Sequence, residues 1–337
     1  MSLRKKLGVA VVGLGVGEQH ALAYAKIHQC ELRRLYDLNS ERIQQVIEKI
    51  GQGLPATSFA EILQDHNDDV ISIASFDDAH YEQVVAGLEA GKHLFVEKPL
   101  CRSRRELQSI KNLWQSNGFP HLGCNLILRA APVYQWLKRI IAEGALGELY
   151  SFDGDYLYGR IEKITQGWRR NVKDYSVMQG GGVHLVDLML WLSGQRPSSV
   201  STVGNRICTA GTDFKYDDHM SATFEFASGM IGRITANFGC VHRHQHVLRI
   251  FGTRGTFILD DMGPRLHTSR DPALCASPIH LSTLPAAKGD LIPDFVQGIV
   301  EERDTRNQTQ HEFDVISACV AADHALSSKV SQPIEYV

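Results

Sequence analysis

Gly13-Leu14-Gly15-Val16-Gly17 restricts the fold of this chain more than any other feature of its sequence. It follows an apolar run, Leu7 to Val12, and precedes a segment with apolar residues at Ala21, Ala25 and Ile27. The pattern reads as a strand turning into a helix. Glycines in such a turn let the backbone bend sharply and approach a phosphate, and the helix N-terminus behind them favours negative charge. In the usual spacing the third glycine falls where this chain has Glu18, so Gly17 comes one place early and the loop is a residue shorter. A tight turn with no ligand carries the same glycines, and Asp37 argues for the ligand. It closes a second strand-like run, Leu32 to Tyr36, about twenty residues on. A carboxylate there accepts hydrogen bonds from the adenosine ribose hydroxyls and repels a 2′-phosphate. Together these features predict a dinucleotide site for NAD, with Arg42 nearby leaving NADP as the alternative.

The next segments keep the rhythm. Ser40 to Ile50 reads as a helix with Ser40 as N-cap, Val70 to Ala74 as a strand, Tyr81 to Ala90 as a helix stopping at Gly91, and His93 to Val96 as a strand. Alternating strands and helices predict a parallel sheet covered on both faces. Near residue 122 the pattern changes. One amphipathic helix, Pro132 to Glu143, precedes the β-like segments 149–157, 200–207, 220–226, 230–237, 246–251 and 256–259. Ser228-Gly229 and Thr253-Arg254-Gly255 read as hairpin turns. Helices at 183–192, 294–302 and 315–328 are expected to cover one face of this sheet, and Pro272 to Gly289 reads as loop. The fold class is therefore α/β: a Rossmann dinucleotide-binding domain over 1–122, then an α+β domain over 123–337 with a large, mostly antiparallel sheet.

A length of 337 residues suits two cores, and 43 % apolar with 22 % charged residues is an ordinary globular balance. The net charge of -3 gives no electrostatic reason to expect nucleic acid or an anionic membrane as partner. The longest apolar runs are too short to span a bilayer. The start, Met1 to Lys6, has the charge of a signal n-region, but the apolar stretch behind it is broken by glycines and reads as the first strand. Seven widely spaced cysteines with no Cys-x-x-Cys point to reduced thiols in a cytoplasmic protein.

A longer set of landmarks resembles one family. Gly91-Lys92-His93-Leu94-Phe95-Val96-Glu97-Lys98-Pro99-Leu100 is similar to the signature of the glucose–fructose oxidoreductase/inositol dehydrogenase/MocA family. In order behind or before it, 73–80 resembles the family's Thr-Pro-Asn-x-x-His stretch, 143–148 its Gly-x-Leu-Gly-x turn, Gly167-Trp168-Arg169 its Trp-Arg loop, Gly182-Val183-His184-Leu185-Val186-Asp187 its histidine helix, and 251–256 its late hairpin. The resemblance runs through nearly the whole chain. It implies that the sheet of the second domain is large and open, serving substrate and oligomerisation in a homodimer or homotetramer, and it implies hydride transfer between a nicotinamide and a carbohydrate or cyclitol carbon. It assigns Gly13, Leu14, Gly15, Val16 and Gly17 to the pyrophosphate and Asp37 to the ribose. Ser75, Phe76, Asp77 and His80 would line the nicotinamide half, with Glu97, Lys98 and Asn125 beside it and Trp168 and Arg169 adding to the cofactor side.

Lys98 and His184 are the expected catalytic pair. An ammonium beside the reacting carbinol steadies developing negative charge on oxygen, and an imidazole exchanges a proton near neutral pH. Lys98, His184, Arg129 and Asp187 are the expected substrate contacts; the bland alternatives are a surface lysine, a core histidine and an ion-pairing arginine. One departure stands out. Many family members carry an aspartate four residues before the histidine, and here that place is Gly180. Asp174, Tyr175, Gln179 and Asp187 are the candidates to replace it. The change keeps two other readings open: a redox-assisted glycosidase that recycles its NAD, and a non-catalytic dinucleotide-binding sensor or scaffold. His242, His244 and His246 alternate as on one strand face, but no further ligand at a structural-zinc spacing accompanies them, so no metal is expected.

Overall fold

The computed structural model describes residues 6–337; the basic start from Met1 to Lys5, read above as no secretory signal, lies outside them. The chain forms two compact units. The first gathers residues up to Ile127 with Ala286–Phe313 and Val337, and the second gathers Leu128–Pro285 with Asp314–Tyr336.

In the first unit the order is β1 (Leu7–Val12), α1 (Gly17–Ala25), β2 (Cys30–Tyr36), α2 (Ser40–Ile50), β3 (Leu54–Pro55), α3 (Phe59–Gln64), β4 (Val70–Ile73), α4 (His80–Glu89), β5 (His93–Val96), α5 (Arg104–Ser116) and β6 (Leu122–Cys124). The six strands are parallel in the order β3-β2-β1-β4-β5-β6. The strand order reverses between β1 and β4, and open α/β sheets bind ligands outside the carboxyl ends of the strands at that point. Val9–Val12 and Val70–Ile73 are buried throughout, as central parallel strands must be.

Two local expectations change. The N-cap of α2 is Asn39, whose Oδ1 accepts from the Glu41 and Arg42 amides at 3.0 and 3.3 Å, so Ser40 is the first helical residue. The sequence reading also passed over α5, although Ser103 and Glu106 make a complete capping box for it.

The second unit starts with α6 (Pro132–Ala142), followed by β7 (Leu149–Leu157), the short α7 (Glu162–Thr165), α8 (Val183–Ser193), β8 (Pro197–Asn205), β9 (His219–Phe226), β10 (Ile231–Asn237), β11 (Gln245–Gly252), β12 (Thr256–Asp260), β13 (Gly263–His267) and β14 (Ser277–Pro278). Next along the chain come α9 (Ile292–Val300) and the start of α10 (Arg306–Ser328), which fall in the first unit up to Phe313, then the rest of α10 and β15 (Gln332–Pro333) in the second. The nine strands run β14-β13-β12-β11-β7-β10-β9-β8-β15. Every neighbouring pair is antiparallel except β7 with β10, where Gly154 sits opposite Ile234. Both expected hairpins are present, β9–β10 and β11–β12.

One helix lies elsewhere than expected. The segment read as 294–302 is α9, and it belongs to the first unit, not to the cover of the large sheet. Ile292, Val296 and Ile299 make one apolar stripe, which closes the core of β1 and α1 against Ala21, Tyr24 and Phe95. The stripe was legible in the sequence; its partner, more than 190 residues earlier, was not.

Candidate active site

The glycine turn does three separate jobs. Gly13 has φ +80°, and a Cβ there would lie 2.5 Å from the Ala74 carbonyl oxygen, so only glycine turns this tightly between β1 and β4. A Cβ on Gly15 would meet nothing within 4 Å, which leaves the backbone open to a ligand. A Cβ on Gly17 would press within 3.2 Å of Val11 and Ala74, where α1 packs on the sheet. These are the roles of the three fingerprint glycines, here within a loop one residue shorter. The residues present thus fit a bound dinucleotide.

Asp37 is set at this turn from the end of β2. Its Oδ2 accepts from the Leu14 amide at 2.6 Å and its Oδ1 from the Asn39 amide at 2.9 Å. A pocket of about 390 Å³ beside it is lined by Tyr36, Leu38, Ala56 and Thr57 among others. Arg42 is turned away from an anion-binding role: its Nε donates to the Leu14 carbonyl at 2.6 Å and its Nη2 pairs with Glu18 at 3.3 Å.

The loops after β4, β5 and β6 meet in a buried polar network. Asn125 Nδ2 donates to Glu97 Oε1 at 2.6 Å and to the Lys288 carbonyl at 2.9 Å. His20, fully buried on α1, lies 3.3 Å from the same Glu97 oxygen and 2.9 Å from Ser72 Oγ. Burial pushes the Glu97 carboxyl up, but the His20 hydrogen bond, the charges of His20 and Lys98 and the Asn125 contact outweigh it and hold the group at about 2. Glu97 is therefore an anion next to the half-buried Lys98, whose peptide bond to Pro99 is cis. His80 is fully buried and faces the carbonyls of Pro99 at 2.7 Å and Ser75 at 3.2 Å, so it ties the β4 and β5 loops together. On that β4 loop Ser75 Oγ donates to Gln83, Asp77 is buried, and Phe76 stands exposed.

In the second unit His184 sits in the first turn of α8, 8 % exposed. Its ring stacks on Tyr156 of β7 at 6.3 Å between centroids and meets His246 of β11 edge-on at 6.3 Å. His244 contacts Tyr156, Tyr158 and His246 at 5.0–5.1 Å. The three histidines of the alternating stretch do not share one face, because β11 begins at Gln245; His242 lies outside the strand and pairs with Asp261. Among the described residues no group of three or more His, Cys, Asp or Glu is arranged to hold a metal.

The turn into α8 explains Gly180. Met178–Gly182 forms a single π-turn, and a Cβ on Gly180 would lie 2.2 Å from Tyr175 Oη. The tyrosine hydroxyl therefore fills the space that a side chain at 180 would need. Of the other candidates, Gln179 donates to Asp323 at 2.7 Å, Asp174 binds Tyr216 through its amide, and Asp187 is fully buried against Arg129, which donates from Nε to both carboxylate oxygens at 2.9 and 3.0 Å. The expected substrate contacts Arg129 and Asp187 thus spend their charges on each other. Trp168 and Arg169 stack in a cation–π pair at 4.4 Å.

Sequence reasoning missed His20, Tyr156 and the Asp323 partner of the π-turn. Only Tyr156 had a local signal, the period-two alternation of β7 that puts it on the buried face with Phe152 and Gly154.

A Rossmann sheet with its glycine turn and ribose-side carboxylate, joined to a nine-stranded sheet domain with a buried histidine, defines a dinucleotide-linked oxidoreductase. The chain belongs to the GFO/IDH/MocA family: residues 7–121 match its oxidoreductase domain with the NAD-binding Rossmann fold, and residues 134–258 match its C-terminal domain. It is 24 % identical over 290 residues to the levoglucosan dehydrogenase of Pseudarthrobacter phenanthrenivorans, covering 76 % of this chain and 74 % of that protein. It is 26 % identical over 299 residues to the scyllo-inositol 2-dehydrogenase (NAD(+)) of Bacillus subtilis, covering 85 % and 80 %. The solved structure of levoglucosan dehydrogenase in complex with NADH shares the fold, with a TM-score of 0.86 at 21 % identity over 99 % of this chain and 100 % of that one.

Proposed function

We propose that this NAD-binding oxidoreductase interconverts a secondary hydroxyl and a ketone on an uncharged sugar, sugar derivative or cyclitol. Domain 1–122 holds the cofactor and domain 123–337 the substrate. The observation that carries the reading is His184, buried at the start of α8 among Tyr156 and His246, within an NAD-binding family fold. Relatives that act on levoglucosan and scyllo-inositol support the substrate class.

Bound NAD supplies the acceptor or donor of the hydride. His184 takes the hydroxyl proton, and the Lys98 ammonium stabilises the negative charge that develops on the oxygen. Glu97, held ionised by His20 and Asn125, places the neighbouring Lys98. Arg129 and Asp187 brace the helix that carries His184. Gly13, Gly15 and Gly17 cradle the pyrophosphate, Asp37 holds the ribose, and Ser75, Phe76 and Asp77 line the nicotinamide side; Trp168 and Arg169 are assigned to the cofactor as well.

Seven widely spaced cysteines with no Cys-x-x-Cys support a reducing compartment, and we place the protein in the cytoplasm. No described helix is long and apolar enough to cross a membrane. We take the working form to be a homodimer or homotetramer.

The test is NADH formation with a panel of sugars and cyclitols, run beside Lys98→Met. The variant should bind NADH as the parent does and turn over about 100- to 10,000-fold more slowly. Undiminished turnover in Lys98→Met rules out the assigned chemistry.

A further inference from the structure

A pocket of about 320 Å³ opens in the second unit beside His246, at the small end of the range of about 300–1,000 Å³ that suits small ligands. It runs from Gln245 and His246 on β11, past Leu259 and Asp260 on β12, to Tyr134 in the first turn of α6 and the 283–284 loop. His246, one of its lining residues, meets His184 at 6.3 Å between ring centroids, so one wall of the pocket adjoins the group we assign to proton transfer.

Two of the lining residues carry a buried polar atom that, among the described residues, has no hydrogen-bond partner: Tyr134 Oη and Gln245 Oε1. Tyr134 is fully buried. A buried polar group left unpaired costs stability, and in a pocket wall the natural completion is a ligand. A phenol hydroxyl donates and accepts, and a carboxamide oxygen accepts, so together they match a ligand that presents hydroxyls. The charges in the wall are cancelled locally. Arg265 donates to both Asp260 oxygens at 2.6 and 2.8 Å, and Arg243 to Asp261 at 2.8 Å. Among the described residues that line the pocket the one guanidinium is so paired, which argues for an uncharged ligand. Leu259 and Leu284 add apolar surface of the kind the C–H face of a sugar ring covers. The outer wall is a built one: the Val133 amide donates to the Ser282 carbonyl at 3.1 Å, and Ser282 Oγ donates to the Leu284 carbonyl at 2.7 Å.

We propose that this pocket is a second substrate subsite, which takes an uncharged, hydroxyl-bearing ring linked to the ring that is oxidised. The enzyme then acts on a glycoside or disaccharide in preference to a free monosaccharide. This rests on the reading of His184 above and goes further by naming the substrate's second part.

The experiment compares kcat/KM at saturating NAD for glucose, galactose and mannose with that for their methyl glycosides and for cellobiose, maltose, lactose and trehalose. At least one disaccharide should exceed its own monosaccharide tenfold or more, through KM. Tyr134→Phe and Leu284→Trp should each lower that ratio at least fivefold; the first removes only a hydroxyl and the second fills the pocket from an exposed loop, so both keep the fold. Equal efficiency on both substrate classes, or variants that slow both alike, overturns the subsite. If no sugar is oxidised, the dehydrogenase reading fails separately, and saturation-transfer NMR of the full chain with the same disaccharides decides the pocket. Transfer to both rings, weakened in Leu284→Trp, supports it; transfer to one ring or none means a pocket that holds only water.

Discussion

The residues that mark the cofactor site fall within one stretch of chain, Gly13 to Asp37, and their chemistry shows in the sequence. Gly13 needs a positive φ, Gly17 a missing side chain, and Asp37 a place at the end of the second strand. What the structure adds is the fate of Arg42. Its guanidinium is bound to the Leu14 carbonyl and to Glu18, so it offers no ready partner for a 2′-phosphate, and the Asp37 carboxylate repels one. NADH should therefore bind at least tenfold more tightly than NADPH in a fluorescence titration of nucleotide-free protein. Comparable affinities would mean that Arg42 lets go of Glu18 when the phosphate arrives. Gly180 shows the opposite case. As letters it is a lost carboxylate, and only the position of Tyr175 Oη shows that the space was given to another side chain.

At the scale of elements, α8 is held by two devices that sequence spacing conceals. Arg129 and Asp187 are 58 residues apart and join the region before α6 to α8 through a buried ion pair. Removing one partner of such a pair strands a buried charge, so Asp187→Ala should cost about 3–5 kcal/mol in denaturant unfolding, whereas a loss below about 1 kcal/mol would mean that water reaches the site. The second device is Asp323 on α10, 147 residues from the Ser176 hydroxyl that it receives at 2.6 Å. Ser176 Oγ in turn accepts from the Met178 and Gln179 amides at 3.1 and 3.2 Å, and Gln179 Nε2 donates to Asp323, so one carboxylate anchors the start of the π-turn.

Burial raises the Asp323 carboxyl from 3.8 to about 6, against the Ser176 and Gln179 hydrogen bonds and the charge of His324, which pull it down. A carboxyl that binds its proton more tightly when folded stabilises the fold in acid, and this contribution is lost as pH rises from about 4 through 6, with an amplitude up to about 3 kcal/mol. The Tm of the parent minus that of Asp323→Asn should therefore shrink between pH 4 and pH 7.5. A difference that stays flat would place the titration outside this window.

At the scale of the whole molecule, the large sheet carries its helices on one face, while the other presents Arg233 with Asp153 and Asp155 at 3.3 and 2.8 Å and Arg249 with Asp155 at 3.8 Å, all partly exposed. If copies of the chain pair through this face, light scattering should give two or four chain masses, and Arg233→Glu should shift the protein toward monomer; a monomeric parent would end the oligomer proposal. The sequence by itself determined the two kinds of sheet, their longer strands and helices in chain order, and the cofactor turn, while the catalytic candidates came from the family resemblance. The sheets, their elements and the turn follow from local causes: side-chain periodicity, turn chemistry and glycine geometry act over three to twenty residues. Only the tertiary structure decided that α9 completes the first core, that Arg129 belongs to Asp187, that Tyr175 occupies the space beside Gly180, and that Asp323 anchors the π-turn before His184. Each of these is a contact between distant segments, and close packing selects such partners by shape and by the need to satisfy buried polar groups, neither of which leaves a periodic trace in the chain.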